Sequence, residues 1–282
     1  MLYYGGGGAN DDIKYVVYCC DLTQDKWTTL PPLPVKHFGL GQINGKLVAV
    51  GGVSAKTGWE CTNEVYTFDD KLNKWKKIIP PMPTAKDSPA VISLQSALIT
   101  AGGHTQFNQH ITNVEVFISD KSQWYKTDAL PTACRDLSAV TSGDTCYVLG
   151  GYEFPVGLNQ ALRASVDDLL CNAVPANKFN HTDNTSIWKA LPNTPTYQPA
   201  AAVLASSLIT IGGTGTAEIG SAQTGVYMYS PTTNSWVYIG DLPAPRALTT
   251  TTVLSPTELL VIGGWDGKHV KSVLKGILTM IV

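Results

Sequence analysis

The chain has 282 residues, 44% of them apolar and only 15% charged, with a formal net charge of −2. Such a composition supports a large buried core but lacks the basic field that draws nucleic acid or acidic membranes, so neither is an expected partner. The opening MLYYGGGGANDD lacks the pattern of a secretory leader, and no run approaches the roughly 20 apolar residues of a membrane-spanning helix, so the chain is read as cytoplasmic.

Elements taken in chain order repeat. Apolar runs end in two glycines, as in LVAVGGV (47–53), LITAGGH (98–104), CYVLGGY (146–152), LITIGGT (208–214) and LVIGGWDG (260–267). The second glycine falls at 52, 103, 151, 213 and 264, giving steps of 51, 48, 62 and 51, and YYGGGG places an earlier one near Gly8. Each pair is followed by a polar loop and an alternating run, such as NEVYTF (63–68), TNVEVF (112–117) and GVYMYS (225–230). A turn then leads to Trp27, Trp75, Trp124, Trp188 or Trp236, and a proline-containing exit (LPPLP 30–34, IPPMP 79–83, ALP 129–131, LPNTP 191–195, LPAP 242–245) precedes the next apolar run. Every unit therefore reads as four short strands, a to d, and no stretch shows convincing helical periodicity.

Four antiparallel strands per unit of about 50 residues predict an all-β, six-bladed β-propeller in one domain. Its units are expected near 1–35, 36–84, 85–132, 133–195, 196–245 and 246–282. The glycines are expected where strand b must turn sharply in a crowded place, because glycine alone takes positive φ without a Cβ penalty. The five tryptophans are expected to fill the gaps between adjacent blades.

The order of glycine pair, strand-c tyrosine or hydrophobic residue, and tryptophan about 20 residues later resembles the kelch repeat, and HFGLGQINGKLVAVGG (37–52) is typical of it. That resemblance implies a binding platform, with adaptor or scaffold roles of the kind found in ubiquitin-ligase adaptors, actin-associated proteins and signalling proteins. Two departures stand out. The fourth unit is longer by about a dozen residues, with LRASVDDLL (162–170) expected to supply strand c and 175–187 an enlarged c–d loop. The first unit also begins in strand b and the last ends in strand c, so the sequence is expected to be part of a longer chain, or to lack about 25–30 residues upstream that would supply the closing strands.

Neither a nucleophile elbow, a phosphate loop nor a paired-carboxylate motif is present, and GGGG at 5–8 lacks the Lys-Ser/Thr of a phosphate loop. The six cysteines, at 19, 20, 61, 134, 146 and 171, have no metal-ligand spacing and read as free thiols of a reducing compartment. Sequons at Asn180 and Asn184 would matter only in a secreted protein. The histidines at 37, 104, 110, 181 and 269 do not assemble a copper site, and HTQFNQH (104–110) offers two imidazoles without a third ligand. No cofactor or metal is expected.

In an antiparallel blade the b–c and d–a loops emerge at the same end. That end collects Lys36, His37, Lys86, Asp87, Arg135, Asp136, Tyr197, Gln198 and Arg246 from the d–a side, and Val53, His104, Tyr152, Thr214 and Trp265 from the b–c side. Trp59, Phe107 and Phe154 stand further out. The expected function is non-enzymatic recognition of a peptide or protein segment, acidic or mixed in charge, by Lys36, His37, Lys86, Arg135, Tyr152, Tyr197, Arg246 and Trp265. The opposing reading of Lys86, Arg135 and Arg246 is structural, as donors to neighbouring loop carbonyls. A rival function is an enzyme on the same fold, a sugar-ring isomerase or a copper oxidase; a third is a structural propeller that associates through its blade edges. The chain is otherwise expected to be a monomer or part of a multidomain protein.

Overall fold

Alternating residues in short runs broken by turns give antiparallel strands throughout the computed structural model, which describes residues 1–5, 15–106, 109–175, 186–218 and 221–278. The chain forms two compact units, Met1–Arg135 with Leu169–Ser186, and Asp136–Asp168 with Ile187–Val282. Among the described residues each contains three sheets of at least three strands, here called blades. The glycine pair near position 8, Phe107, His181, both sequons and most of the 175–187 stretch lie outside the described residues.

In the first unit, blade 1 has the order β1 (Leu2–Gly5), β2 (Val17–Asp21), β3 (Lys26–Thr29). Blade 2 is entered by β4 (Val35–Lys36) and runs β5 (Gly39–Ile43), β6 (Lys46–Val50), β8 (Val65–Asp69), β9 (Lys74–Lys76), while β7 (Val53–Ser54) pairs with β4. Blade 3 runs β10 (Ala90–Ser93), β11 (Ala97–Ala101), β12 (Val114–Ile118), β13 (Gln123–Thr127).

In the second unit, blade 4 runs β14 (Arg135–Ser142), β15 (Thr145–Glu153), β17 (Ala161–Ser165), β19 (Lys189–Ala190), with β16 (Val156–Gly157) folded against the end of β15. Blade 5 runs β20 (Ala200–Leu204), β21 (Ser207–Ile211), β22 (Gly225–Ser230), β23 (Ser235–Asp241). Blade 6 has three strands among the described residues, β24 (Thr250–Ser255), β25 (Glu258–Ile262) and β26 (Val273–Ile277).

The apolar cores lie between consecutive blades of a unit. Val48, Val50 and Val65 of blade 2 pack with Leu98, Phe117 and Trp124 of blade 3, and Ile209 and Ile211 of blade 5 pack with Leu259 and Val261 of blade 6. Indoles add a directed bond to this packing. Nε1 of Trp75 donates to the Pro31 carbonyl, Trp124 to Pro80 and Trp236 to Pro192, at 2.9, 2.7 and 2.9 Å, always 44 residues back, in the proline exit of the preceding blade. The prolines and tryptophans of the repeat are thus two halves of one contact. Trp27 departs from the expectation that the five tryptophans fill gaps between blades, as it is 37% exposed.

Glycine pairs form the second junction. Gly51 and Gly52 have φ of 63° and 97°, and a Cβ on either would lie 2.4 Å from a backbone carbonyl, that of Lys86 for Gly51 and that of Lys36 for Gly52. The Gly52 amide donates to Lys86 O of the next blade at 2.9 Å, as Gly213 does to Arg246 O at 2.8 Å in the second unit. Both the conformation and the approach require glycine.

The long fourth unit differs from expectation. Strand c stops at Ser165, and residues Val166–Cys171 form a helix, α1. Ser165 Oγ accepts the Asp168 amide at 2.9 Å, while Asp167 and Asp168 lie in the first turn. An N-cap and a favourable dipole interaction thus outweigh strand propensity in a helix too short to show periodicity. The chain then supplies β18 (Val174–Pro175), which pairs with β13 as a fifth strand of blade 3.

Two outcomes are expected. Gly52→Ala loses about 2–4 kcal/mol in chemical denaturation, from the left-handed backbone plus the carbonyl clash, whereas Gly58→Ala, at φ 77° with nothing within 4 Å, loses only about 1–2 kcal/mol. Trp124→Ala loses roughly 3–5 kcal/mol and Trp27→Ala less than about 1.5 kcal/mol; equal losses at the two sites would contradict the stitching role.

Candidate functional site

Strand pairing settles which loop residues face which way. The segment entering strand a pairs by backbone with the segment leaving the glycine pair: Lys36 with Val53, Asp87 with His104, Tyr197 with Thr214, and Ala247 with Trp265. In both units the d–a and b–c segments therefore share one end of their blade. The residue just before each of these d–a partners points into the packing. Val35, Lys86, Thr196 and Arg246 occupy that position and all are buried. Cys134 is its counterpart before β14, as its amide bond to Ile111 O matches those of Lys86 to Thr62 O and Arg246 to Gln223 O.

The residue just after the partner is left-handed in five blades: His37, Ser88, Asp136, Gln198 and Leu248 have φ between 47° and 54°. None is glycine, although the conformation costs an L-residue roughly 1–2 kcal/mol.

This register corrects the expected roles of Lys86 and Arg246. Lys86 is fully buried, its Nζ 3.1 Å from Glu115 Oε2 on β12, which is equally enclosed. Burial pushes the Lys86 ammonium below the usual lysine range, Glu115 opposes that shift, and Lys126 across the sheet adds to it. Arg246 donates to the Pro245 carbonyl at 2.9 Å and to Ser272 Oγ at 2.8 Å, with Asp266 at 3.8 Å. Neither cation is presented to solvent, because their position in the loop is the inward one.

Lys36 is half-buried and the His37 side chain is 40% exposed. Arg135, at the start of β14, is half-buried and engaged. In the second unit Tyr152, Tyr197 and Trp265 are all half-buried, and Tyr152 meets the exposed Phe154 edge to face at 6.4 Å. Trp59 and Phe154, further out, are 62% and 68% exposed.

Sequence reading missed one grouping. Asp87, whose side chain is 4% exposed, has Oδ2 3.5 Å from His37 Nδ1 and 3.5 Å from His104 Nε2, and Oδ1 accepts from Ser88 Oγ at 2.8 Å. All three residues were in view singly, and the d–a and b–c periodicity placed them at one end of the blade. Only the left-handed turn at His37 brings its ring to the next blade's carboxylate. Among the described residues no group of three or more His, Cys, Asp or Glu side chains is arranged to hold a metal ion. A cleft of about 240 Å³ beside β17 and β19, lined by Arg163, Asp168 and Lys189, contains none of the expected site residues.

A family model described as Kelch motif matches residues 34–83 and 195–243. The chain is 25% identical over 244 residues to Kelch-like protein 25 of Homo sapiens, covering 84% of this chain and 38% of that protein. It is 23% identical over 235 residues to Kelch-like protein terF of Aspergillus terreus, covering 78% and 48% respectively. The chain thus spans less than half the length of these curated relatives. The solved structure of YjhT aligns with a TM-score of 0.75 at 19% identity, over 96% of this chain and 90% of that one, a likeness that shows the fold class, a six-bladed β-propeller. The recurrent glycine pairs, tryptophans and proline exits, now seen to be blade junctions, belong to repeats that match the Kelch motif at 34–83 and 195–243 and that make the chain similar to Kelch-like proteins.

Proposed function

We propose that this chain is a non-enzymatic protein-interaction module that binds a peptide or protein segment through its d–a and b–c loops, as a scaffold or substrate adaptor. The observation that carries the reading is the backbone pairing of those two segments at one end of the blade in both units. It supports a rigid loop end on each unit, carrying Lys36, His37 and Arg135 on the first and Tyr152, Tyr197 and Trp265 on the second. Cationic groups and half-buried aromatics are each residue types of recognition hot spots, and an acidic or mixed segment is the partner that this chemistry fits. Lys86 and Arg246 act from beneath, holding the loops. Similarity to Kelch-like proteins supports an interaction role, and free cysteines support a reducing, cytoplasmic setting.

A second reading, a sugar-ring isomerase, is favoured by one observation, the carboxylate of Asp87 flanked by two imidazoles. Mutarotation of reducing sugars followed by NMR decides it: acceleration that disappears in Asp87→Asn would replace the binding reading, and rates equal to buffer would reject the enzyme.

For the binding reading, proximity labelling in cells with the wild-type chain, Lys36→Glu and Trp265→Ala is expected to show one defined partner set that falls by roughly tenfold or more in both variants, with melting unchanged. Lys86→Glu, which sets two buried carboxylates together, is expected instead to lose about 3 kcal/mol or more of stability. An unchanged partner set in both variants would reject these loops as the binding surface.

A further inference from the structure

The first unit gathers ionisable groups from four segments around one carboxylate. Asp87 lies on the loop entering blade 3, His104 follows that blade's glycine pair, and the two exchange both backbone bonds, at 2.9 and 3.0 Å. His37 comes from the loop entering blade 2, and His110, edge to face with His104 at 6.1 Å, precedes β12. Cys61 donates its thiol to His104 O at 3.6 Å; burial first, then the Asp87 charge, push that thiol up to about 11, so it adds no charge at neutral pH.

Charge balance in this group is uneven. One carboxylate faces two imidazoles, so it neutralises one imidazolium and leaves a second unmatched. Burial holds His104 below the usual histidine range; Asp87 opposes this, while Arg135, His110 and His37 reinforce it. His104 therefore stays neutral near pH 7 unless another anion arrives. His37 is the member that meets solvent, and Lys36 is its neighbour in sequence. An incoming carboxylate supplies the missing negative charge, and protonation of the imidazoles then strengthens its binding, so the two events are linked.

We propose that His37, Asp87 and His104 form a proton-linked carboxylate site that takes up an acidic side chain of the partner together with a proton. This rests on the reading of the loop face as a binder of acidic segments. The sign follows from the imidazoles: affinity rises as pH falls through the histidine range, and Asp or Glu side chains of the ligand remain ionised there.

The test is calorimetric titration of the whole chain with a hexa-aspartate peptide between about pH 5.5 and 7.5, in two buffers of different ionisation heat. Expected are an affinity gain of at least about tenfold towards the acid end and uptake of about one proton per bound peptide near pH 6.5. His37→Gln and His104→Gln are each expected to flatten the pH dependence and the uptake; His37→Gln, at an exposed ring, serves even if the His104 variant misfolds. Binding that is independent of pH overturns the inference and leaves the loop face standing as a binder. A pH dependence unchanged in His37→Gln overturns the assignment to this cluster. Absence of peptide binding across the whole range overturns both readings.

Discussion

The backbone bond from a strand-b glycine to the loop of the next blade is the constraint on which the remaining structure depends. Gly52 donates to Lys86 O and Gly213 to Arg246 O, and a Cβ on the glycine just before, Gly51 or Gly212, would lie 2.4 or 2.2 Å from that same carbonyl. Because the peptide itself is the contact, consecutive blades within a unit approach more closely here than side chains would permit. The loop that receives the bond is the loop that carries the candidate site. Blade cohesion and site geometry are therefore set by the same few atoms.

This coupling explains the unequal fates of the basic residues. The residue whose carbonyl takes the glycine bond must turn its side chain inward, so Lys86 and Arg246 become internal cations with internal partners. The next residue pairs with its own blade, and the one after it is left-handed, exposed at His37 and Leu248 and buried at Gln198. A buried ion pair such as Lys86–Glu115 contributes little net stability over an apolar pair of the same shape, yet removing one partner is strongly destabilising. It acts as a geometric requirement on the loop above it. On that loop Asp87, the very next residue, reaches the two histidines.

Much of the fold was legible because its constraints are imposed on residue types that have no substitutes. Only glycine fits the junction, and only a large flat ring with an N–H fits the position where Trp75, Trp124 and Trp236 bond to the preceding blade's proline exit. The helix Val166–Cys171 and the added strand Val174–Pro175 escaped, since a six-residue helix is held by a cap and one buried leucine, not by periodicity. Within the site, the sequence located the correct end of the blade but not the register. A shift of one residue separates a solvent-facing cation from a buried one, and no composition or spacing rule distinguishes Lys36 from Lys86. The link from His37 through Asp87 to His104 joins residues far apart in sequence and depends on one left-handed φ.

The most direct measurement is native-state amide hydrogen exchange by NMR at Gly52, Gly103 and Gly213, whose N–H groups make the bonds to the following loop. If those junctions hold the blades and fix the loop end, these three amides exchange only through global unfolding, with the same denaturant dependence as strand-b core amides such as Val48 and Ile209. Exchange by local opening, with little denaturant dependence and rates like those of the loop tips, would contradict the account, because the loops would then move independently of the blades that are said to position them.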